Sequence, residues 1–194
     1  QKLIVNPMKR ILTFFLCISL SLSTFANDGY QLWLDYSPIQ NTEMKVEIQQ
    51  LFSGVFIFGE SPTYQIIEDE LTLASEKMIN SPASFNSGSS KENSLWIGTS
   101  DYFNQVLSSS QLKEIKDLGS DGYWMGMINS EGENHYAIIG NKPVGVLYGV
   151  FNLLKNIQIG TFNKNTLITN YPKVKVRMLN HWDNLDRTVE RGYA

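Results

Sequence analysis

The sequence predicts an α/β fold, a mixed β-sheet with helices packed on it. Three observations point there. Short apolar and aromatic runs at Leu51–Phe58 and Ser94–Thr99 flank a long segment whose apolar residues recur at helical spacing. Two more such runs, Tyr123–Ile128 and His135–Ile139, flank "NSEGEN", a turn by composition. An apolar helix then opens at Asn141-Lys142-Pro143.

Taken in order, "DGYQLWLDYSP" at 28–38 begins the folded part, and Leu51–Phe58 reads as a buried strand. Ser61 is the expected N-cap of the first helix, with Pro62 at the first helical position, where a missing N–H costs nothing. Tyr64, Ile67, Leu71, Ala74 and Met78 form one stripe on that helix, and Glu68, Asp69, Glu70 and Lys77 fall mostly on the solvated side. "SPASFNSGSSKEN" at 81–93 is a polar loop, and Ser94–Thr99 is a second strand. Ser100–Leu118 reads as one or two short helices stopped by Gly119-Ser120-Asp121-Gly122. The hairpin follows, then the last helix with Val144, Leu147, Phe151 and Leu154 on one face. Gly145 and Gly149, four apart, predict close approach of this helix to the sheet. The domain would occupy 27–170, and Tyr171-Pro172 marks a boundary. Beyond it, Lys173–Leu179 alternates as a new strand.

The start of the chain reads as an export signal. Met8-Lys9-Arg10 is basic, Ile11–Leu22 is apolar, and Thr24 and Ala26 are the small residues at −3 and −1. Residues 1–7 then read as upstream sequence or a fusion scar, 8–26 as signal peptide, and the mature protein is expected in the periplasm or outside the cell. Cys17, the single cysteine, lies in that signal, so the mature chain would have neither a disulfide nor a thiolate. Its thirteen basic and nineteen acidic residues give a net charge of −6. That is a poor match for nucleic acid or an anionic membrane.

Several chemistries find no support. No phosphate-binding glycine loop is present, and the two histidines, His135 and His181, fall in different elements, so a metal is not expected. His135 reads as a structural histidine, and Trp33, Trp96 and Trp124 read as core rather than as sugar-stacking platforms. Ser110-Gln111-Leu112-Lys113 matches S-x-x-K in letters alone.

The tail raises the sharper question. "VRMLNHWDNLDRTVERGYA" runs from a β-branched stretch into Asn180-His181-Trp182-Asp183. A strand ending in a polar and aromatic cluster is the pattern of the active face of a (β/α)₈ barrel. Two readings stand: Trp182 walls a pocket, or it caps a core.

With these residues in view, the sequence resembles the glycoside hydrolase family 67 α-glucuronidases. The resemblance is carried by "RMLNHWDNLDRTVERGYA" at 177–194, "DGYQLWLDYSPI" at 28–39, "GESPT" at 59–63 and "IIGNKPVGVLYGVFNLLK" at 138–155. It departs at Arg187, where the family has Gly. The resemblance implies a hexosaminidase-like N-terminal α/β domain at 27–170 and the start of a catalytic (β/α)₈ barrel at 171–194. It also implies hydrolysis, with inversion, of α-1,2-linked (4-O-methyl)-glucuronic acid from xylo-oligosaccharides in xylan breakdown. No cofactor is needed, and the parent enzyme is expected as a homodimer. The catalytic carboxylates fall on later barrel strands, so this chain is expected to hold no catalytic residue. Trp182 matches the tryptophan that walls the uronic acid pocket, and Asp183, Asn184, Glu190 and Arg191 are the further candidate substrate-binding residues. A different reading stays beside this one: a stand-alone secreted module that binds carbohydrate or a partner protein.

Overall fold

The computed structural model describes residues 35–86 and 92–178. The signal peptide, Trp33, Leu179 and the candidates Trp182, Asp183, Asn184, Glu190 and Arg191 lie outside the described residues.

The first described helix, α1, covers Thr42–Phe52. Asn41 caps it, its Oδ1 accepting from Met44 N–H at 2.9 Å. Ile48, Leu51 and Phe52 form its buried stripe. The first strand, β1, is therefore only Val55–Phe58. The expected strand over Leu51–Phe58 merged the end of a helix with the start of a strand. Ser53 N–H still bonds back to Gln49 and Gln50 carbonyls, so the helical ladder runs to the turn before β1.

Helix α2 covers Pro62–Ile79, and its expected stripe of Tyr64, Ile67, Leu71, Ala74 and Met78 is buried. Ser61 sits at the N-cap with Pro62 after it, but its hydroxyl makes no capping bond. Strand β2 is Leu95–Thr99. A 3₁₀ turn at Ser100–Phe103 and helix α3 at Ser109–Asp117 account for the two expected short helices. A capping box between Ser108 and Gln111 opens α3. Strands β3 (Tyr123–Ser130) and β4 (Glu133–Gly140) form the hairpin. Its turn is tighter than expected, because Glu131 at φ 54° and Gly132 at φ 90° close it in two residues. Helix α4 is Pro143–Gln158, and β5 is Ile168–Asn170.

The five strands form one mixed sheet in the order β1-β2-β4-β3-β5. Strands β1, β2 and β4 run parallel, while β3 is antiparallel to both β4 and β5. Helices α2 and α4 pack together, and α4 lies on β2, β3 and β4. A second cluster, Phe103, Leu107, Ile115, Trp124, Ile128, Ala137 and Ile139, packs with α3, with Phe58 and Trp96 against it. Trp124 is core as expected. Trp96 is half-buried, its ring stacked on the buried His135 at 4.4 Å between centroids.

The buried face of α4 is not the expected one. Val146, Val150, Leu153, Leu154 and Ile157 are buried, together with Gly145 and Gly149, whereas Val144, Leu147 and Phe151 are only half-buried. The glycines decide it. A Cβ on Gly149 would lie 2.5 Å from Ile138 Cγ2, and one on Gly145 would lie 2.3 Å from Gly122 O. Close approach is possible only on the side without side chains, so that side faces the sheet.

The expected strand at Lys173–Leu179 is not formed over its described part. Residues 173–178 are irregular, and Val174, Val176 and Met178 are 62%, 71% and 87% exposed. The alternation is present, but among the described residues no neighbouring edge supplies the backbone partners that a strand needs.

Candidate functional site

The register puts one end of every strand along a common edge. That edge is built from Phe58, Thr99, Gly140, Tyr123 and Asn170. In a sheet with parallel strands, the carboxyl ends of those strands are where ligands and chain crossings are usually placed. Here the edge carries the segment that leads toward Trp182.

Three loops meet there. Just past β4, Asn141 Nδ2 donates to the carbonyls of Ile115 at 2.6 Å and Gly119 at 2.9 Å. It thereby ties the end of α3 to the 119–122 loop. Gly122 is pressed against Leu118, and Gly119 adopts φ 74°, so the loop turns tightly and presents Asp121. Ser120 Oγ donates to Asp121 Oδ1 at 2.7 Å. From the exit segment, Arg177 Nη2 donates to Asp121 Oδ2 at 2.6 Å. Arg177 Cζ also stands 5.7 Å from the ring centroid of Tyr148, on the exposed side of α4. The Ser120 hydroxyl, and after it the guanidinium, hold the Asp121 carboxyl below the usual range.

Beside this pair, Asn170 Nδ2 donates to Tyr123 OH at 3.3 Å, while burial pushes the Tyr123 phenol up. Asp121, Tyr123, Tyr148, Asn170, Tyr171, Pro172 and Arg177 enclose a groove of about 310 Å³. A second groove at the end of β1, with Glu60, Glu68, Asn86 and Tyr102 in its wall, is more polar. Among the described residues no group of three or more His, Cys, Asp and Glu is placed to hold a metal ion, and no helix is long and apolar enough to cross a membrane.

The candidates Trp182, Asp183, Asn184, Glu190 and Arg191 lie outside the described residues, and the groove beside Asp121 is built from other side chains. Asp121, Tyr148 and Arg177 were not candidates from sequence. Asp121 reads there as a helix stop, and Arg177 as the polar partner in an alternating strand. Their one sequence signal is a cation six residues past Tyr171, near the run "YPKVKVR".

Comparison with known proteins gives the family. Residues 32–153 match the glycosyl hydrolase family 67 N-terminus, and residues 156–194 match the family 67 middle domain. α-Glucuronidase A of Aspergillus tubingensis is 30% identical over 186 residues, covering 93% of this chain and 21% of that protein. A probable α-glucuronidase A of Aspergillus niger is 29% identical over 196 residues, covering 96% of this chain and 22% of that protein. The chain therefore spans about a fifth of the length of the curated relatives it matches. Among solved structures, a family GH115 4-O-methyl-α-glucuronidase aligns at a TM-score of 0.35 and 16% identity, over 54% of this chain and 13% of that one. That likeness is too slight to bear on function. The two family matches run side by side through nearly all of the chain from residue 32 to 194, and on them the chain belongs to glycoside hydrolase family 67.

Proposed function

We propose that this chain is the N-terminal part of an exported α-glucuronidase that removes α-1,2-linked (4-O-methyl)-glucuronic acid from xylo-oligosaccharides with inversion. One observation carries the reading: the family match continues from the α/β domain into the tail with Trp182. The names of the Aspergillus relatives support the glucuronidase activity. In this reading the α/β domain occupies 27–170, and pairing of β5 with β3 up to Asn170 supports the boundary. Residues 171–194 open the barrel, and the exposed alternation of Val174, Val176 and Met178 becomes a strand when its neighbours are present. Trp182 walls the uronic acid pocket, with Asp183, Asn184, Glu190 and Arg191 shaping it. The parent enzyme works as a homodimer.

Inversion requires one carboxylic acid for the leaving oxygen and one carboxylate for water, roughly 6.5–9.5 Å apart. Both come from later in the parent enzyme, and Asp183, Asp186 and Glu190 do not stand in for them. No step needs a cofactor. Proton NMR of the parent enzyme acting on an aldouronic acid tests the stereochemistry. The first product seen should be β-glucuronic acid, before mutarotation; α-anomer as the first product refutes inversion.

A further inference from the structure

The open groove at the carboxyl end of β1, about 570 Å³, is lined by Ile57, Gly59, Glu60, Glu68, Asn86 and Tyr102. The proposed function leaves it unused. β1 is an edge strand of the sheet, yet its edge is already occupied. Val55 N–H donates to Ser84 O, Val55 O accepts from Asn86 N–H, and Asn86 Oδ1 accepts from Ile57 N–H at 3.0 Å. An extended peptide adding to the sheet would need those same groups. With its oxygen taken, the Asn86 amide keeps two N–H donors on Nδ2 in the groove wall. Glu60 and Glu68 supply acceptors. Tyr102 is 57% exposed, and its ring is set on Phe58 at 6.4 Å between centroids. Phe58 in turn packs on Trp96 and Phe103, at 5.2 and 5.3 Å. Gly59 keeps the space beside the ring free, since a Cβ there would lie 2.8 Å from Tyr64 Cε2 and 3.4 Å from Tyr102 Cε2. The exposed ring therefore rests on a packed support, and little order has to be gained when it meets a ligand.

These groups select a class of ligand. Donors and acceptors in one wall suit hydroxyls, which donate and accept at once, whereas a cation uses acceptors only. An exposed aromatic face suits the apolar C–H face of a pyranose ring. Two carboxylates, with no cation among the lining residues, disfavour a uronate. We propose that this groove is a carbohydrate-binding site for a neutral, undecorated stretch of xylo-oligosaccharide, with Tyr102 as the stacking platform and Glu60, Glu68 and Asn86 as partners of the hydroxyls. The choice of xylose rests on the function proposed above, while the choice of a neutral pyranose rests on the groove itself.

Titration of the isotope-labelled 194-residue chain with xylohexaose, followed by proton–nitrogen NMR, tests this. The amide signals of Gly59, Glu60, Asn86 and Tyr102 should shift saturably, and free glucuronic acid should leave them in place. Tyr102→Ala should weaken binding by roughly fivefold or more, the loss expected of an anchoring aromatic, with the circular dichroism spectrum unchanged. Tyr102→Phe keeps the ring and should keep most of the binding. Xylohexaose that moves none of these signals, or wild-type affinity in Tyr102→Ala, overturns the site. Equal shifts with glucuronic acid overturn the selection of a neutral sugar. Oligolysine moving the same signals where xylohexaose does not makes the groove a site for basic peptides and overturns the proposal. Cellohexaose binding where xylohexaose does not overturns the xylose ligand. A parent enzyme that releases no glucuronic acid refutes the functional reading by a separate measurement, and the titration still decides the groove.

Discussion

Replacing Gly149 by Ala adds one methyl to the face of α4 that lies on the sheet. Its Cβ would sit 2.5 Å from Ile138 Cγ2 and 3.3 Å from Tyr123 Cβ. Carbon atoms in contact prefer about 3.5–4.0 Å, so the first contact must open by about an ångström. Ile138 is fully buried in β4, between β2 and β3, and cannot swing aside. Overpacking of this kind costs about 1–3 kcal/mol. Against it stands the better helix propensity of Ala, about 1 kcal/mol. The net expectation is a destabilisation of about 1 kcal/mol and at most about 2, a fall in melting temperature of about 2–8 °C for a domain of this size. Urea unfolding followed by far-ultraviolet circular dichroism measures it. Gly145→Ala should be at least as damaging, because its Cβ meets backbone oxygens of Gly122 and Ser120 at 2.3 and 3.0 Å. Ile138→Ala removes the obstructing Cγ2, so the double variant with Gly149→Ala should be more stable than the sum of the two single effects. If Gly149→Ala leaves stability unchanged or raises it, the glycines do not set the helix–sheet spacing. The seat of Tyr148 would then need another explanation.

Burial raises the phenol pKa of Tyr36, Tyr64, Tyr123 and Tyr136, with Glu70 adding to the effect at Tyr36. Their folded pKa lies above the unfolded one, so stability is fully present below about pH 10 and is lost as pH rises through the folded values; ultraviolet titration should show these four of the nine tyrosines ionising only as the protein unfolds. On export, cleavage should follow Ala26, and N-terminal sequencing should read Asn-Asp-Gly-Tyr, whereas a mature form retaining Met8 contradicts the signal. In the parent enzyme, Trp182→Ala should lower kcat/KM more than tenfold, over about 1.4 kcal/mol of transition-state binding, with the melting temperature nearly unchanged; a much lower melting temperature with normal kinetics in the folded fraction makes Trp182 a packing residue.

Much of this fold is legible where local and tertiary preferences agree. The stripe of α2 is wide, regular and opened by Ser61-Pro62, so periodicity alone places it. The hairpin has its turn residues between two apolar runs. Where two elements abut with one apolar run across them, the pattern misleads. Leu51 and Phe52 belong to the helical repeat begun by Ile48, and the missed signal is Asn41 as a cap ten residues before Leu51. On α4 the apolar residues surround the helix, so spacing cannot choose a face; close contact with Ile138 and Gly122 chooses it. The candidate site divides in the same way. Trp182 stands out as an aromatic in a polar cluster after an alternating run, while its pocket role and the candidates Asp183, Asn184, Glu190 and Arg191 are what the family resemblance implies. Arg177, Asp121 and Tyr148 do not stand out, because what joins them is a contact across 56 residues from loop to tail and the exposed side of a helix.

The most direct measurement is release of glucuronic acid from a purified 4-O-methylglucuronosyl xylo-oligosaccharide, comparing the parent enzyme with the 194-residue chain at equal concentration. Turnover is expected from the parent enzyme and none above background from the chain alone, since the proposed function puts the acid and base outside it. A parent enzyme without activity on this linkage, or a chain that matches the parent enzyme's rate, contradicts the proposed function.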